Sequence, residues 1–214
     1  MEDFDIANSS SAIGNFNFRQ VDGRLFNSES KDDSSQHNDK HEIFIPVHGN
    51  VVDATFNTEF RSSSTVVSVF DVACYVMSKV KQCTTMKLQK LLYYCQAWHL
   101  VWNERPLFKE NIEAWANGPV IRELYNFHKG LFNITENMMT IGNPYKLTTE
   151  QKNDIDSVLA AYGGKNSQWL IDQTHFETPW RDARKGLSPQ ERGHVIITHA
   201  AMAEYYSSLY EQEE

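Results

Sequence analysis

Long hydrophobic runs, clustered cysteines and clustered bases are all missing from this 214-residue chain. The longest apolar stretch, "KLLYYCQAWHLVW", is interrupted by Gln96 and His99 and falls short of the ~20 residues that a membrane-spanning helix needs. The N-terminal "MEDFDIANSSS" is acidic and lacks a basic-then-apolar targeting pattern, so a cytosolic protein without a membrane partner is expected. Cys74, Cys83 and Cys95 form neither a CxxC pair nor an even disulfide set. Cys74 and Cys95 fall at apolar helical positions, where a free thiol behaves as a small core residue.

Catalytic signatures are equally scarce. There is no HExxH, no GxSxG and no GxGxxG after a strand pattern. "GGKNS", starting at Gly163, lacks the first glycine of a phosphate loop, and Ser167 comes one place too late; the end of one helix and the cap of the next explain it better. The net charge is −8, and it is unevenly placed. Residues 1–65 hold 11 acids and 5 bases, net −6; residues 66–214 hold 17 acids and 15 bases, net −2. A nucleic-acid binder needs a basic patch to neutralise phosphates. None is visible along the chain, so the expected partner is a protein.

Composition is that of a folded domain, with 41% hydrophobic and 22% charged residues. Residues 1–65 read as an N-terminal extension with hairpin pieces. "NFNFRQVDGRLF" alternates aromatic and polar residues and carries the turn dipeptide Asp22-Gly23; "EIFIPVHGNVVDATF" offers two β-branched runs around His48. Between them, "NSESKDDSSQHNDKH" has almost nothing to bury and reads as a disordered insert. "RSSST", residues 61–65, is the linker.

From Val66 the pattern turns helical. Phe70, Ala73, Cys74, Met77 and Val80 mark one helix face. Thr84 or Thr85 caps a second helix running to about Asn103, apolar on nearly every side, as a buried central element would be. A narrow polar seam survives on it: Gln89, Gln96, His99 and Asn103 share one sector. These groups either hydrogen-bond to neighbouring loops or line a groove. A strand at 112–115 follows, then a turn at Asn117-Gly118 and a helix with Pro119 in its first turn, ending at Gly130. Thr148 and Gln151 form a capping box, Ser167 caps a short helix, and a strand at 195–197 precedes a last helix capped by Thr198. The fold expected is mainly α, with a small accessory sheet.

"THFETPW", residues 174–180, combines a histidine, a carboxylate and a tryptophan. A catalytic zinc site takes three protein ligands plus water; His175 and Glu177 supply at most two. The structural reading explains more letters. Thr178 caps a short helix, Pro179 fits its first turn, Trp180 buries a ring, Glu177 faces the helix dipole and His175 is a hydrogen-bonding post. No metal, cofactor or catalytic set is expected. A small metal-dependent hydrolase using His175 and Glu177 stays as the enzymatic alternative, and a DNA-binding repressor as the regulatory one.

Residues 84–130, "TTMKLQKLLYYCQAWHLVWNERPLFKENIEAWANGPVIRELYNFHKG", resemble the Panacea domain, the SocA-like and GepA-like family of bacteria and phages. The run Lys-Leu-Gln-Lys-Leu-Leu-Tyr-Tyr followed by Gln-x-Trp, the "PLF" at Pro106, the "EAWANGPV" at Glu113, the "THFETPW" at Thr174 and the isoleucine-rich end with its Tyr-Tyr helix occur in the family's order. The resemblance spans about residues 66–210; residues 1–65 have no counterpart in it. It implies an antitoxin that neutralises a cognate protein toxin by direct binding, or alternatively an adaptor that delivers the toxin to a cytosolic AAA+ protease. The signature residues Trp115, Gly118, Pro119, His175, Glu177 and Trp180 are then expected to form scaffold more than contact surface.

Overall fold

A computed structural model describes residues 20–22, 42–48 and 67–211. The expected turn at Asp22-Gly23, the acidic insert, the second β-branched run and the linker at 61–65 lie outside the described residues. Two short strands flank the insert in sequence, β1 (Gln20–Asp22) and β2 (Glu42–Phe44), and they pair antiparallel. After β2 the chain docks on the rest of the protein. The Phe44 ring meets Trp169 edge-on and lies beneath the Lys165 ammonium at 3.7 Å, Ile45 is buried, and His48 packs on Trp102.

The architecture is mainly α, as expected. Helix α1 (Val69–Val80) opens with a capping box, in which the Ser68 hydroxyl and the Asp71 carboxylate each serve the other's backbone N–H. Its buried side is wider than the sequence pattern suggests. Val69, Val72 and Val76 are fully buried, whereas Phe70 and Val80 are only partly so. The segment after α3 folds back over the helix, and Cys74 Sγ donates to Ile141 O there.

Strand β3 (Gln82–Thr84) leads into α2 (Thr85–Asn103), whose first amides are met by the Thr84 hydroxyl. This helix is the axis of the molecule. Every residue from Leu88 to Leu100 is buried, and Trp98, Tyr93 and Tyr94 are its largest enclosed side chains. A helix with no solvent face must be covered on all sides. The cover comes from α4 (Thr149–Tyr162), α5 (Ser167–Phe176), α7 (His199–Tyr210) and a hairpin of β4 (Ile112–Trp115) and β5 (Gly118–Ile121).

Four local expectations are corrected. Gly118–Ile121 is a strand, with Ala114 opposite Pro119, and the following helix α3 spans only Arg122–His128. Gln89 explains the change: its side-chain amide grips both Ile121 N and Ile121 O and holds the backbone extended. Asn166, rather than Ser167, caps α5 by accepting from Trp169 N at 2.8 Å. Helix α6 (Thr178–Ala183) begins one residue early, with Glu177 at the N-cap position and no side-chain cap. Residues 195–197 make only a bridge, Glu113 opposite Ile196, fastened by Ala114 N to Val195 O and Ile197 N to Ile112 O. The expected boundaries at Thr148 with Gln151 and at Thr198 stand as read. Strand β6 (Asn133–Thr135), which pairs with β3, has no counterpart in the sequence reading.

The fold-back over α1 hangs on one carboxylate. Asp71 accepts from Ser68 N at 3.0 Å and from Asn143 N at 2.7 Å, with the Lys146 ammonium 3.6 Å away. Burial works to raise this carboxyl, but the two amides and Lys146 overcome it and hold it below the usual value. Its stabilising contribution is therefore present above the unfolded-state pKa and is lost as pH falls through the lower folded one. Asp71→Ala strands two partly buried amides and should cost about 2–3 kcal/mol in denaturant melts at neutral pH. Most of that difference should vanish in melts run at a pH below the folded-state value.

Candidate functional site

Two places gather the residues singled out above: a closed corner in the core and an open groove beside it. The corner begins with Glu177. Its side chain does not face the α6 dipole but turns into the core, where Tyr94 Oη donates to Oε1 at 2.9 Å and Tyr206 Oη donates to Oε2 at 2.7 Å. Tyr162 stacks on Tyr94 at 4.1 Å, and Tyr93 contacts both Tyr94 and Tyr206 edge-on. The Tyr93 hydroxyl has no hydrogen-bond partner of good geometry. Burial pushes the Glu177 carboxyl up to about 8, against the opposing pull of the Tyr206, Tyr94 and Tyr93 hydroxyls. Near neutral pH it is mostly the neutral acid.

Lys90, one turn earlier on α2, is fully enclosed, and its Nζ donates to Pro119 O at 2.9 Å. Burial alone pulls its ammonium down to about 7. No ion pair joins it to Glu177. Space for it exists because residue 118 is glycine. A Cβ there would stand 2.6 Å from Lys90 Cε and 2.8 Å from Thr174 Oγ1, and the backbone has φ +97°. His175 stacks flat on Trp180 at 4.1 Å, and its Nε2 meets no partner. Trp180 Nε1 donates to Trp115 O at 2.9 Å, and Arg184 Nη1 donates to Ala114 O at 3.1 Å. Trp115, Gly118, Pro119, His175, Glu177 and Trp180 thus converge on one joint, where the β4–β5 hairpin meets the α5–α6 bend.

The joint does not combine His175 and Glu177 into one reactive pair. Both Glu177 oxygens are taken by tyrosines, and the His175 ring serves Trp180. Among the described residues, no three His, Cys, Asp or Glu side chains are grouped so as to hold a metal ion. Most of the corner's polar groups bind one another, with Tyr93 Oη and His175 Nε2 left without a partner.

The seam on α2 splits three ways. Gln89 holds Ile121 and also lies 3.0 Å from His128 Nε2. Gln96 accepts from Leu107 N and Phe108 N, donates to Phe108 O and stands 2.9 Å from His199. His99 Nδ1 and Asn103 Nδ2 both donate to Asp154 Oδ2 at 2.7 Å, and His48 takes Oδ1 at 3.1 Å. Internal hydrogen bonding is therefore the rule. Only Gln89 also reaches an open groove.

That groove, of about 560 Å³, lies over Trp115, Val120, Tyr125 and His128. The α3 end and the turn after it, Lys129, Gly130 and Leu131, form one part of the lining; Arg192, Gly193 and His194 form another. Glu113 sits behind the floor, bound by both Arg122 nitrogens and by Trp115 Nε1 at 2.8 Å, with His194 at 3.5 Å. Burial opposes but does not outweigh these partners, and its carboxyl is held below the usual value.

Sequence reasoning missed Lys90, Asp154 and Arg184 as core residues and missed the groove. A lysine flanked by Gln89, Leu91 and Leu92 in an otherwise apolar helix was the available signal for Lys90. The groove residues come from three distant segments and carry no common spacing.

The Glu177 shift makes a pH prediction. Its pKa is raised on folding, so its contribution is favourable below the unfolded value near 4.5 and is lost as pH rises toward about 8. Lys90, depressed to about 7, behaves oppositely, and its cost is relieved above that pH. Glu177→Gln keeps an uncharged hydrogen-bonding group, so its melting temperature relative to the parent should rise steadily between pH 5 and 8. A parallel pair of melting curves would contradict the assignment. Gly118→Ala should cost more than about 2 kcal/mol in the same melts, from positive φ and the clash with Lys90 together.

Compared with known proteins, residues 88–181 match the model of the family described as antitoxin SocA-like, Panacea domain. No curated protein and no solved structure matches the chain. The matched span runs from the second turn of α2 to α6 and so contains the hairpin, the joint and most of the helices around the axis. No helix among the described residues is long and apolar enough to cross a membrane. Over residues 88–181, somewhat under half of its length, the chain is similar to the antitoxin SocA-like, Panacea domain family.

Proposed function

We propose that the protein is an antitoxin that neutralises a cognate protein toxin by direct binding, with its signature residues holding the frame. The family match carries this reading. The distribution of polar groups supports it, because Glu177, Trp115 and Trp180 spend their side-chain hydrogen bonds on neighbouring parts of the frame. Chemistry offered outward lies elsewhere. Leu131, Phe132, Met138, Ile141 and Tyr145, all between α3 and α4, are exposed apolar residues, with Phe132 at 78% and Tyr145 at 89%. Aromatic side chains held on a rigid frame are the usual anchors of protein interfaces, which bury about 1,600 Å² in all. In this reading residues 66–214 form the toxin-binding domain, and residues 1–65 adjust partner choice.

The direct test is co-expression with the product of a neighbouring gene that is lethal alone. Growth should be restored, and the two chains should co-purify. The toxin's half-life should be unchanged by the antitoxin; a half-life shortened only when an AAA+ protease is present would replace direct neutralisation by delivery. Phe132→Ala with Tyr145→Ala should weaken the complex by about 2 kcal/mol or more, roughly 30-fold, while leaving the melting temperature within a degree or two. An unchanged dissociation constant would move the contact surface elsewhere.

A further inference from the structure

Resting on the reading of a protein partner, we propose that the groove over Trp115 is the docking site for an acidic, extended segment of that partner. The first observation is charge. The lining includes Arg122, Lys129 and Arg192 and contains no Asp or Glu, in a chain whose net charge is −8. Arg122 is committed to Glu113. Lys129 and Arg192, brought to the groove by separate segments, are exposed and without an ion pair among the described residues. Lys79, Lys81 and Arg105 by contrast each face a carboxylate of their own, while exposed Lys109 and Lys185, also without an ion pair among the described residues, lie outside the groove lining. Two unneutralised cations lining one concave floor suit carboxylates carried by something that enters the groove.

The second observation is backbone. The wall at 192–194 continues into the bridge against β4, where Ala114 N bonds to Val195 O and Ile197 N bonds to Ile112 O. In an antiparallel pairing of this register the N–H and C=O of Ile196, between those two bonds, point away from β4. That edge, next to a basic groove, is open to strand addition by an extended polypeptide. Val195 and Ile196 are exposed, as is Leu131 in the groove lining, so apolar side chains of the entering segment have surfaces to cover. Trp115 and Tyr125, packed edge-on at 4.8 Å, give the floor a rigid aromatic base. A small anion would use the cations alone; an acidic peptide uses cations, edge and apolar rims together.

The test uses the full chain and a fluorescein-labelled decapeptide of alternating aspartate and leucine. Micromolar binding is expected, weakening with added salt and falling at least about tenfold in the double variant Lys129→Glu/Arg192→Glu, whose melting temperature should match the parent because both side chains are exposed. A lysine–leucine peptide should not bind, and neither inorganic phosphate nor ATP should displace the acidic one at comparable concentration. Equal binding of acidic and basic peptides, indifference to the double variant, or ready displacement by ATP would each overturn the assignment. Co-expression separates this from the antitoxin reading. A double variant that folds and still neutralises the toxin with undiminished affinity sinks the groove and leaves the antitoxin role standing. A parent chain that neutralises no neighbouring toxin sinks that role, while the peptide titration still decides the groove's chemistry.

Discussion

A helix that is buried on every side cannot leave its polar side chains to water, and this constraint organises the molecule. The polar groups on α2 reach four separate parts of the fold. Gln89 and Lys90 hold β5, Tyr94 holds the α5–α6 bend through Glu177, Gln96 holds the segment around Phe108, and His99 with Asn103 holds α4 through Asp154. Apolar burial supplies the driving force for packing against α2. The polar contacts choose which neighbour packs where, because a neighbour docked out of place would leave an amide, an ammonium or a carboxyl enclosed without a partner.

The same constraint accounts for the unusual ionisation in the core. Glu177 and Lys90 are both displaced toward their neutral forms by burial, yet they are not partners of each other. Each is matched to neutral dipoles, tyrosine hydroxyls in one case and the Pro119 carbonyl in the other. Shifted pKa values often mark catalytic centres. Here they come with enclosed and satisfied groups, and they lie apart from the groove that solvent can enter. The perturbation records tight assembly of the joint between hairpin and bend.

Much of the fold was legible because it rests on local rules. The all-round apolar pattern of residues 88–102 identified the central helix, and side-chain capping at Thr84, Thr148 and Thr198 placed three helix starts. The largest errors came from distant contacts: Gly118-Pro119 reads locally as a turn and a helix start, but Gln89, 32 residues before Ile121, holds the segment as a strand. Glu177 likewise reads as a helix-dipole partner until tyrosines from α2 and α7 claim it. Of the candidate site, the signature residues were legible as a set through the family resemblance, and their convergence was not. The groove was invisible, since Tyr125, Lys129 and Arg192 acquire meaning only when the 188–197 segment is laid beside α3.

One side chain gathers the first half of that segment. Buried Arg184 donates to the carbonyls of Ala114, Ser188, Pro189 and Glu191, tying an irregular loop to β4 at its base. Since this anchorage is made to main-chain oxygens, the Arg184 contacts do not depend on which side chains the loop carries at those three positions. The identities of those side chains can drift or be exchanged by recombination while the loop's path stays the same. The groove's wall can in this way change its chemistry without a rebuilt interior.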